Sequence, residues 1–143
     1  GGKLVTPHLV KETGQESNQS KEKARQVISS KTSSQIAAML VSVVENGFAK
    51  SAQIPGYFVA GKTGTAQVSF GSLGIQKKGY SDKTIQTFIG FAPAFNPQFL
   101  ILVKLDDPGT KTAEYSAVPI FKEIGEYIIH HRQIPPDYQE EKT

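Results

Sequence analysis

The stretch Tyr57–Gln67, YFVAGKTGTAQ, decides the fold of this chain. It begins as an apolar, β-prone run and then carries a single lysine among small residues, GKTGT at 61–65. A buried strand does not favour a charge, and glycines weaken a strand because they contribute no side chain for packing. The stretch is therefore either a turn or a strand whose backbone another group approaches closely.

The strand interpretation makes a specific prediction about the two threonines. Successive side chains of a strand point to opposite faces, so Thr63 and Thr65 share one face and Gly64 points to the other. Their hydroxyls, about 7 Å apart, form a small polar platform. Gly64 would allow another element to pack closely behind the strand.

The edge of this strand is the predicted binding surface. If the outer edge is free, its N–H and C=O groups can pair with an extended peptide-like ligand, and Lys62 adds a positive charge beside it. This arrangement suits an extended backbone that ends in a carboxylate, with a backbone N–H available as an oxyanion donor. The alternative is an ordinary edge strand protected from association by a gatekeeper lysine.

Composition excludes several classes of protein. A chain of 143 residues fits one domain with a real core. The net charge of +3 is small, and no basic stripe interleaved with aromatic residues suggests a nucleic-acid partner. There is no cysteine for a disulfide or a thiolate metal site, and no run of about 18 apolar residues for a membrane span. The abrupt start, GGKLVTPHLV, indicates the middle of a longer protein.

The first half of the chain predicts a polar loop followed by a helix. Residues 11–26 lack apolar periodicity and are expected to form a mobile loop. Thr32 and Gln35 fit a capping box, and Gly47 is expected to end the helix in the left-handed conformation. The predicted buried stripe, spaced as on one helix face, consists of Ile36, Met39, Leu40, Val43 and Val44.

The second half predicts three antiparallel strands and a last helix, which makes the class α+β. The strands are Tyr57–Val68, Ile85–Ala92 and Gln98–Leu105, and the last two are apolar enough to be covered on both faces. Residues 134–143 are expected to form a polar tail. The last helix has Ser116 as its predicted cap and an apolar stripe of Ile120, Phe121, Ile124, Tyr127 and Ile128.

Three segments together strongly resemble the C-terminal part of the transpeptidase domain of class B (monofunctional) penicillin-binding proteins. They are IPGYFVAGKTGTAQ, TFIGFAPAFNPQFLILVKLDDP and AVPIFKEIGEYIIHHRQIPPD. GGKLVTPHLV and SSQIAAMLVSVVENGFAK are similar to segments that precede the third motif of this family. The resemblance covers residues 1–143 apart from the loop at 11–26. It implies part of a single domain with an antiparallel sheet flanked by helices, the serine β-lactamase-like fold.

The resemblance also implies an activity. Family members are serine acyltransferases that cross-link peptidoglycan stem peptides, bind β-lactams and need no cofactor. They use three motifs, S-x-x-K, S-x-N and K-T/S-G, and Lys62-Thr63-Gly64 matches the third. By this resemblance Lys62 is catalytic and supports proton transfer, while Thr63, Gly64 and Thr65 bind substrate. The threonine hydroxyls hold the carboxylate of a terminal D-alanine or of a β-lactam, and the Thr65 N–H supplies half of the oxyanion hole.

The chain lacks the other two motifs. No S-x-N occurs, and the formal S-x-x-K match, Ser20 to Lys23, lies in the most polar stretch. A nucleophilic serine needs a base that is positioned and desolvated, so we reject this match. The chain alone is therefore expected to be inactive. Its implied partners are stem peptides, β-lactams and the remainder of its own transpeptidase domain, in the same protein or in a separate chain.

No metal site is predicted. His130 and His131 are adjacent at the end of the last helix, where neighbouring side chains point about 100° apart and chelate one ion poorly. They are better placed to complement the helix dipole. His8 stands alone in an extended segment.

The resemblance implies a location and leaves alternatives open. It places the protein in the bacterial cell envelope, on the extracytoplasmic face of the cytoplasmic membrane, anchored by an N-terminal segment absent from this chain. The division or elongation machinery is a candidate partner. A β-lactamase, a β-lactam sensor domain or a non-catalytic binding module of the same fold are the alternatives, and the long segment TFIGFAPAFNPQFLILVKLDDP favours the penicillin-binding proteins over the first two.

Overall fold

The computed structural model describes residues 1–7 and 24–138. The chain divides into two compact units, Gly1–Ile36 and Ala37–Thr143. Several sequence predictions lie outside the described residues: most of the loop predicted at 11–26, the rejected match Ser20 to Lys23, His8, and the end of the predicted tail at 139–143.

The first unit contains a short antiparallel ribbon. Strand β1 (Lys3–Leu4) pairs with β2 (Arg25–Gln26), and the Val27 N–H donates to the Gly2 carbonyl at 2.9 Å. The loop predicted at 11–26 is therefore wrong at its end, because Arg25 and Gln26 belong to a strand. Backbone hydrogen bonds between the two strands and at the adjoining turn stabilise this ribbon. Polar side chains therefore do not prevent these residues from forming strands.

Helix α1 (Ser30–Asn46) begins earlier than predicted. The Ser29 hydroxyl accepts the Thr32 backbone N–H at 3.0 Å, so Ser29 rather than Thr32 takes the capping role. At the other end, the Gly47 N–H donates to the Val43 carbonyl at 3.1 Å, and Gly47 is not among the residues with positive φ. The left-handed ending predicted for Gly47 is wrong, because this residue continues the helical hydrogen bonding.

The buried face of α1 is only partly the one predicted. Val41 and Val44 are buried, and Leu40 and Val43 pack against the core. Ile36 and Met39 are 44% and 67% exposed. The apolar residues spread over more than one side of this helix, so their spacing alone does not locate the side that is covered.

A three-stranded antiparallel sheet forms the centre of the second unit. Its strands are β3 (Ala60–Ser69), β4 (Tyr80–Ala92) and β5 (Phe99–Asp106), in the order β3-β4-β5. The first strand starts later than predicted because Tyr57 bridges Ile54 across a turn. The second starts earlier because Tyr80 pairs with Ser69 beyond an irregularity in the register.

Helix α2 (Ala117–Arg132) packs on one face of this sheet. The Phe121 ring meets the Phe88 ring of β4 edge-on, with centroids 4.8 Å apart. Ile124 and Tyr127 are 39% and 68% exposed, so their predicted burial is wrong. The residues of α2 that are buried follow mostly at intervals of four: Ala117, Val118, Phe121, Gly125 and Ile129.

The opposite face of the sheet is partly exposed. Ile89, Leu100 and Leu102 share this face and are 44%, 65% and 61% exposed. Near Ala60 the same face is covered, because the small second cluster of Val41, Ala60 and Ala94 is buried there. Ala60 pairs with Phe91, and Phe91 pairs with Leu100. Both faces of the sheet carry apolar residues, as the sequence predicts. That further elements of the domain cover the exposed part of this second face stays a prediction.

Residues 134–138 do not behave as a polar tail. The Tyr57 hydroxyl donates to the Ile134 carbonyl at 2.6 Å, and the Asp137 carboxylate accepts the Phe58 N–H at 2.9 Å. Ile134 is buried and the Tyr138 ring lies 5.0 Å from that of Phe58. The tail prediction is wrong here because an isoleucine and a tyrosine contribute apolar surface that packs against residues 54–58. Burial, with a smaller contribution from the Asp137 charge, raises the pKa of Tyr57.

Candidate functional site

The stretch GKTGT lies on the edge strand of the sheet. Strand β3 pairs only with β4, and no other strand in the described part of the chain pairs with its outer edge. Cross-strand partners share a face, so Thr63 and Thr65 lie on the face that α2 covers, and Lys62 and Gly64 on the other. The register is Lys62↔Ile89, Thr63↔Phe88, Gly64↔Thr87 and Thr65↔Gln86. The stretch is thus a strand and not a turn.

Both glycines of the stretch are approached closely. A Cβ atom on Gly61 would overlap the Phe88 ring, and one on Gly64 would lie 2.5 Å from the Thr87 Oγ1 atom. These contacts explain why an apolar strand contains two residues without side chains. They also correct one expectation, because the group that needs Gly64 to be small is Thr87 of the adjacent strand and not a separate element behind the sheet.

Lys62 is exposed and its ammonium group reaches the strand edge. The Nζ atom donates to the Thr63 carbonyl at 2.8 Å and to the Thr63 hydroxyl at 3.3 Å. Within residues 1–7 and 24–138, no carboxylate forms an ion pair with Lys62. The positive charge is therefore held at the edge of β3 by neutral oxygen atoms.

The hydrogen bond from Lys62 to the Thr63 carbonyl indicates which backbone groups of β3 point to its unpaired edge. Lys62 projects from one face of β3 and Thr63 from the other, so the ammonium reaches both Thr63 oxygens around the unpaired edge. In an antiparallel strand, residues two apart direct their N–H and C=O groups to the same edge. The Thr65 N–H accordingly points to the free edge, on the same side as the Lys62 ammonium.

The Thr65 hydroxyl forms a hydrogen bond with the segment that connects β5 to α2. Its oxygen accepts the Ala113 backbone N–H at 3.4 Å, and Ala113 belongs to a short 3-10 turn, Ala113–Tyr115. A hydroxyl that accepts this bond keeps its own proton for donation. Thr65 is exposed, so that proton can be donated to a group outside the chain.

Gln86 is a residue that sequence reasoning missed. It is the cross-strand partner of Thr65 and is fully buried, at 0% exposure. Its amide bonds to Thr110 and Ser116, which precede α2. One signal was available: in IQTFIGFA, Gln86 stands two residues before Phe88 and shares its inward face.

The two histidines of α2 belong to a different element from the GKTGT stretch. His130 and His131 are exposed at the end of α2, and the His131 ring stacks on that of Tyr127 with centroids 5.7 Å apart. Among the residues that the structure describes, no three His, Cys, Asp or Glu side chains are grouped to hold a metal ion. No helix of the described ranges has the length and apolar content needed to cross a membrane.

The sequence of the chain is similar to those of several bacterial proteins. The Pseudomonas aeruginosa protein named probable peptidoglycan D,D-transpeptidase PbpC is 37% identical over 142 residues, which cover 95% of this chain and 23% of the relative. Stage V sporulation protein D of Bacillus subtilis is 42% identical over 115 residues, covering 76% of this chain and 17% of the relative. The chain thus spans less than a quarter of the length of either relative.

Solved structures share its fold. The transpeptidase domain of penicillin-binding protein 3 from Burkholderia pseudomallei is 31% identical, with a TM-score of 0.69, over 81% of this chain and 34% of that one. Penicillin-binding protein 3 from Mycobacterium tuberculosis, complexed with ampicillin, is 30% identical, with a TM-score of 0.69, over 84% of this chain and 28% of that one. The sequence model of the family described as penicillin binding protein transpeptidase domain matches residues 1–126 of this chain. The chain therefore belongs to the penicillin-binding protein transpeptidase family, as a class B member, in agreement with the resemblance of its third motif and flanking segments.

Proposed function

We propose that the complete protein is a serine-type D,D-transpeptidase that cross-links peptidoglycan stem peptides through an acyl-serine intermediate and is acylated by β-lactams. The observation that carries the proposal is the free edge of β3, where the Lys62 ammonium, the Thr65 hydroxyl and the outward Thr65 N–H occur together. This edge offers hydrogen-bonding groups for an extended peptide and donors for an anion. Lys62-Thr63-Gly64 is the third motif of the family to which the chain belongs.

Each residue of the edge has a role in this proposal. The Thr63 and Thr65 hydroxyls bind the carboxylate of the terminal D-alanine or of a β-lactam, and the absent side chain of Gly64 keeps the strand in register. Lys62 supports proton transfer, and the Thr65 N–H stabilises the developing oxyanion. The nucleophilic serine comes from the remainder of the transpeptidase domain. Its oxygen bonds to the substrate carbonyl carbon, and the terminal D-alanine leaves with its amine protonated.

The location and the partners follow from the same proposal. Stem peptides occur in the bacterial cell wall, so the active protein works in the envelope, on the extracytoplasmic face of the cytoplasmic membrane. We propose an N-terminal anchor for it outside this chain. The division or elongation machinery would bring it to sites of wall synthesis.

Labelling with a fluorescent β-lactam tests the function. The complete protein is expected to be labelled stably, with the label on a serine outside this chain, and the 143-residue chain alone is expected to remain unlabelled. Rapid release of the label would indicate a β-lactamase, and no labelling of the complete protein would indicate a non-catalytic binding module. A label located by mass spectrometry on any residue of the isolated chain would contradict the assignment of the nucleophile.

A further inference from the structure

We propose that Gln86 is a positioning residue that fastens the segment 110–116 beside β3 and thereby orients the Thr65 hydroxyl toward the ligand carboxylate. The inference rests on the function proposed above and adds a buried residue that does not itself touch the ligand. It is carried by the hydrogen bonds of the Gln86 side chain and by its place opposite Thr65.

All hydrogen-bonding positions of the Gln86 amide are engaged. Its Nε2 atom donates to the Thr84 hydroxyl at 3.0 Å and to the Thr110 carbonyl at 2.6 Å. Its Oε1 atom accepts the Thr110 hydroxyl at 2.9 Å and the Ser116 hydroxyl at 2.5 Å. A primary amide offers two N–H donors and two lone pairs, so this buried side chain is fully satisfied.

These bonds hold both ends of one segment. Thr110 and Ser116 lie on either side of Ala113, the residue whose N–H donates to the Thr65 hydroxyl at 3.4 Å. Ala113 is itself fully buried, at 0% exposure. Since Gln86 is the register partner of Thr65, the same position on β4 anchors the segment that contacts β3.

The position of the segment 110–116 determines the direction in which the Thr65 hydroxyl can donate its proton. While the Ala113 N–H occupies a lone pair of the Thr65 oxygen, the hydroxyl proton is left to be donated to an anion. If the segment moves, Thr65 loses this partner and its χ1 angle is no longer selected. We therefore expect a loss of Gln86 to weaken the non-covalent binding of a carboxylate ligand more than it slows the later chemical step.

A purely structural role would have a different signature. Burying an amide is unfavourable unless its hydrogen bonds are made. An apolar side chain of similar length fills the same volume, but it leaves the Thr110 and Ser116 groups without their partner, so some stability is lost as well. Gln86→Met is such a change. It keeps the packing and removes every bond to Thr110 and Ser116, so it separates filling of space from orientation of the segment.

The test uses the complete protein and a β-lactam that bears a carboxylate. Acylation measured over a range of concentrations separates the non-covalent Kd from the acylation rate constant. Gln86→Met is expected to raise Kd about tenfold, the size of one or two lost net hydrogen bonds, and to change the rate constant by less than about twofold. Gln98→Met is the matched control, because Gln98 is exposed and, among residues 1–7 and 24–138, its side-chain amide donates only to the Asn96 carbonyl, at 3.1 Å.

A double variant identifies Thr65 as the residue through which Gln86 acts. In a Thr65→Val background the hydroxyl is absent, so adding Gln86→Met is expected to change Kd by less than about twofold, a non-additive result. An additional loss as large as in the wild type would overturn the inference. An unchanged Kd in folded Gln86→Met would overturn it as well.

Two milder variants keep the test decisive if Gln86→Met does not fold. Thr110→Val and Ser116→Ala each remove one bond to the Gln86 oxygen, and each is expected to raise Kd about two- to fivefold, again only while Thr65 is present. Unchanged Kd values in both would contradict the inference. A wild-type protein that no β-lactam acylates would instead refute the proposed function, so the two failures are distinguishable.

Discussion

The Phe88 ring of β4 lies directly over the backbone of Gly61 on β3, in the space that a side chain at Gly61 would need. Gly90, the register partner of Gly61, is covered in the same way, since a Cβ atom there would lie 2.9 Å from the Phe88 ring and 2.8 Å from the Phe121 ring. The aromatic rings that pack between the sheet and α2 therefore also contact the backbone of β3, the strand that carries Lys62. Tight packing at this point limits how far that strand can move.

Replacing Gly61 tests this relationship. Gly61→Ala is expected to lower the free energy of unfolding of the complete protein by about 1–3 kcal/mol, because the added methyl group forces the Phe88 ring to move in a filled core. Denaturant-induced unfolding measures the change. Gly71→Ala is the control, since the nearest atom to a Cβ there is 4.0 Å away, and an equal effect of the two changes would contradict the argument.

Lys62→Ala tests the catalytic assignment. The second-order rate of β-lactam acylation in the complete protein is expected to fall by roughly 10²-fold or more, with the melting temperature unchanged because the side chain is exposed. Lys104→Ala serves as the control, since Lys104 is also exposed on this sheet and pairs with Asp106 at 2.6 Å. Acylation of Lys62→Ala at the wild-type rate would leave a gatekeeper lysine as the better interpretation of this residue.

Thr65→Val and Gly64→Val separate ligand binding from strand geometry. Thr65→Val keeps the shape and the backbone N–H but removes the hydroxyl, so we expect acylation to be weakened by about 1–3 kcal/mol, measured as the second-order rate of β-lactam acylation, which includes non-covalent binding. Gly64→Val is expected to slow acylation further and also to lower the melting temperature, because its Cβ atom would lie 2.5 Å from the Thr87 Oγ1 atom. A Gly64→Val protein with normal stability and normal acylation would show that this close approach has no functional consequence.

The anchoring of residues 134–138 predicts that the stability of the protein decreases at alkaline pH. Burial and the Asp137 charge raise the pKa of Tyr57 above its ordinary value of 10.0. The stability that the neutral phenol contributes is therefore fully present below pH 10.0 and is lost as the pH rises toward the folded-state pKa. Tyr57→Phe is expected to cost about 1 kcal/mol near neutral pH, through the lost bond to Ile134, and to lose less stability than the wild type on going to alkaline pH.

Unfolding curves at neutral and alkaline pH measure this difference. Tyr115→Phe is the control, because Tyr115 is 69% exposed and its hydroxyl contributes nothing to the anchoring of Ile134. An alkaline loss of stability that is the same in Tyr57→Phe and in the wild type would exclude Tyr57 as its source.

The exposed face of the sheet predicts self-association of the 143-residue chain taken by itself. Ile89, Leu100 and Leu102 form an apolar surface there, and such surfaces promote association. Combining Leu100→Thr with Leu102→Thr is expected to reduce the association, measured by light scattering. The same pair of changes in the complete protein is expected to be destabilising, since we expect the rest of the domain to cover this face. A monomeric isolated chain with cooperative melting would count against the prediction.

Local patterns in the sequence determined much of this molecule. Alternation with a period of two placed Thr63 and Thr65 on one face and Gly64 on the other, because that alternation belongs to any strand backbone. Apolar runs marked the three strands of the central sheet, and the helical spacing of apolar residues marked both helices. Ser116 lies just before α2 as predicted, although the capping bond predicted for its side chain is absent. The segments around Lys62 were specific enough to indicate the family. All of these features depend on residues that are close in the chain.

Tertiary structure alone decided which surfaces are covered and what each polar group bonds to. Ile124 and Tyr127 are apolar and helically spaced, yet they face away from the sheet because the side of α2 that carries Phe121 fits against Gly90. Gln86 is buried only because Thr110 and Ser116, distant along the chain, return to satisfy its amide. Ile134 does not belong to a polar tail, because its side chain packs in the core cluster and Tyr57 donates to its carbonyl. Each outcome depends on contacts between distant segments, and neither residue type nor spacing encodes which of the available partners a side chain meets.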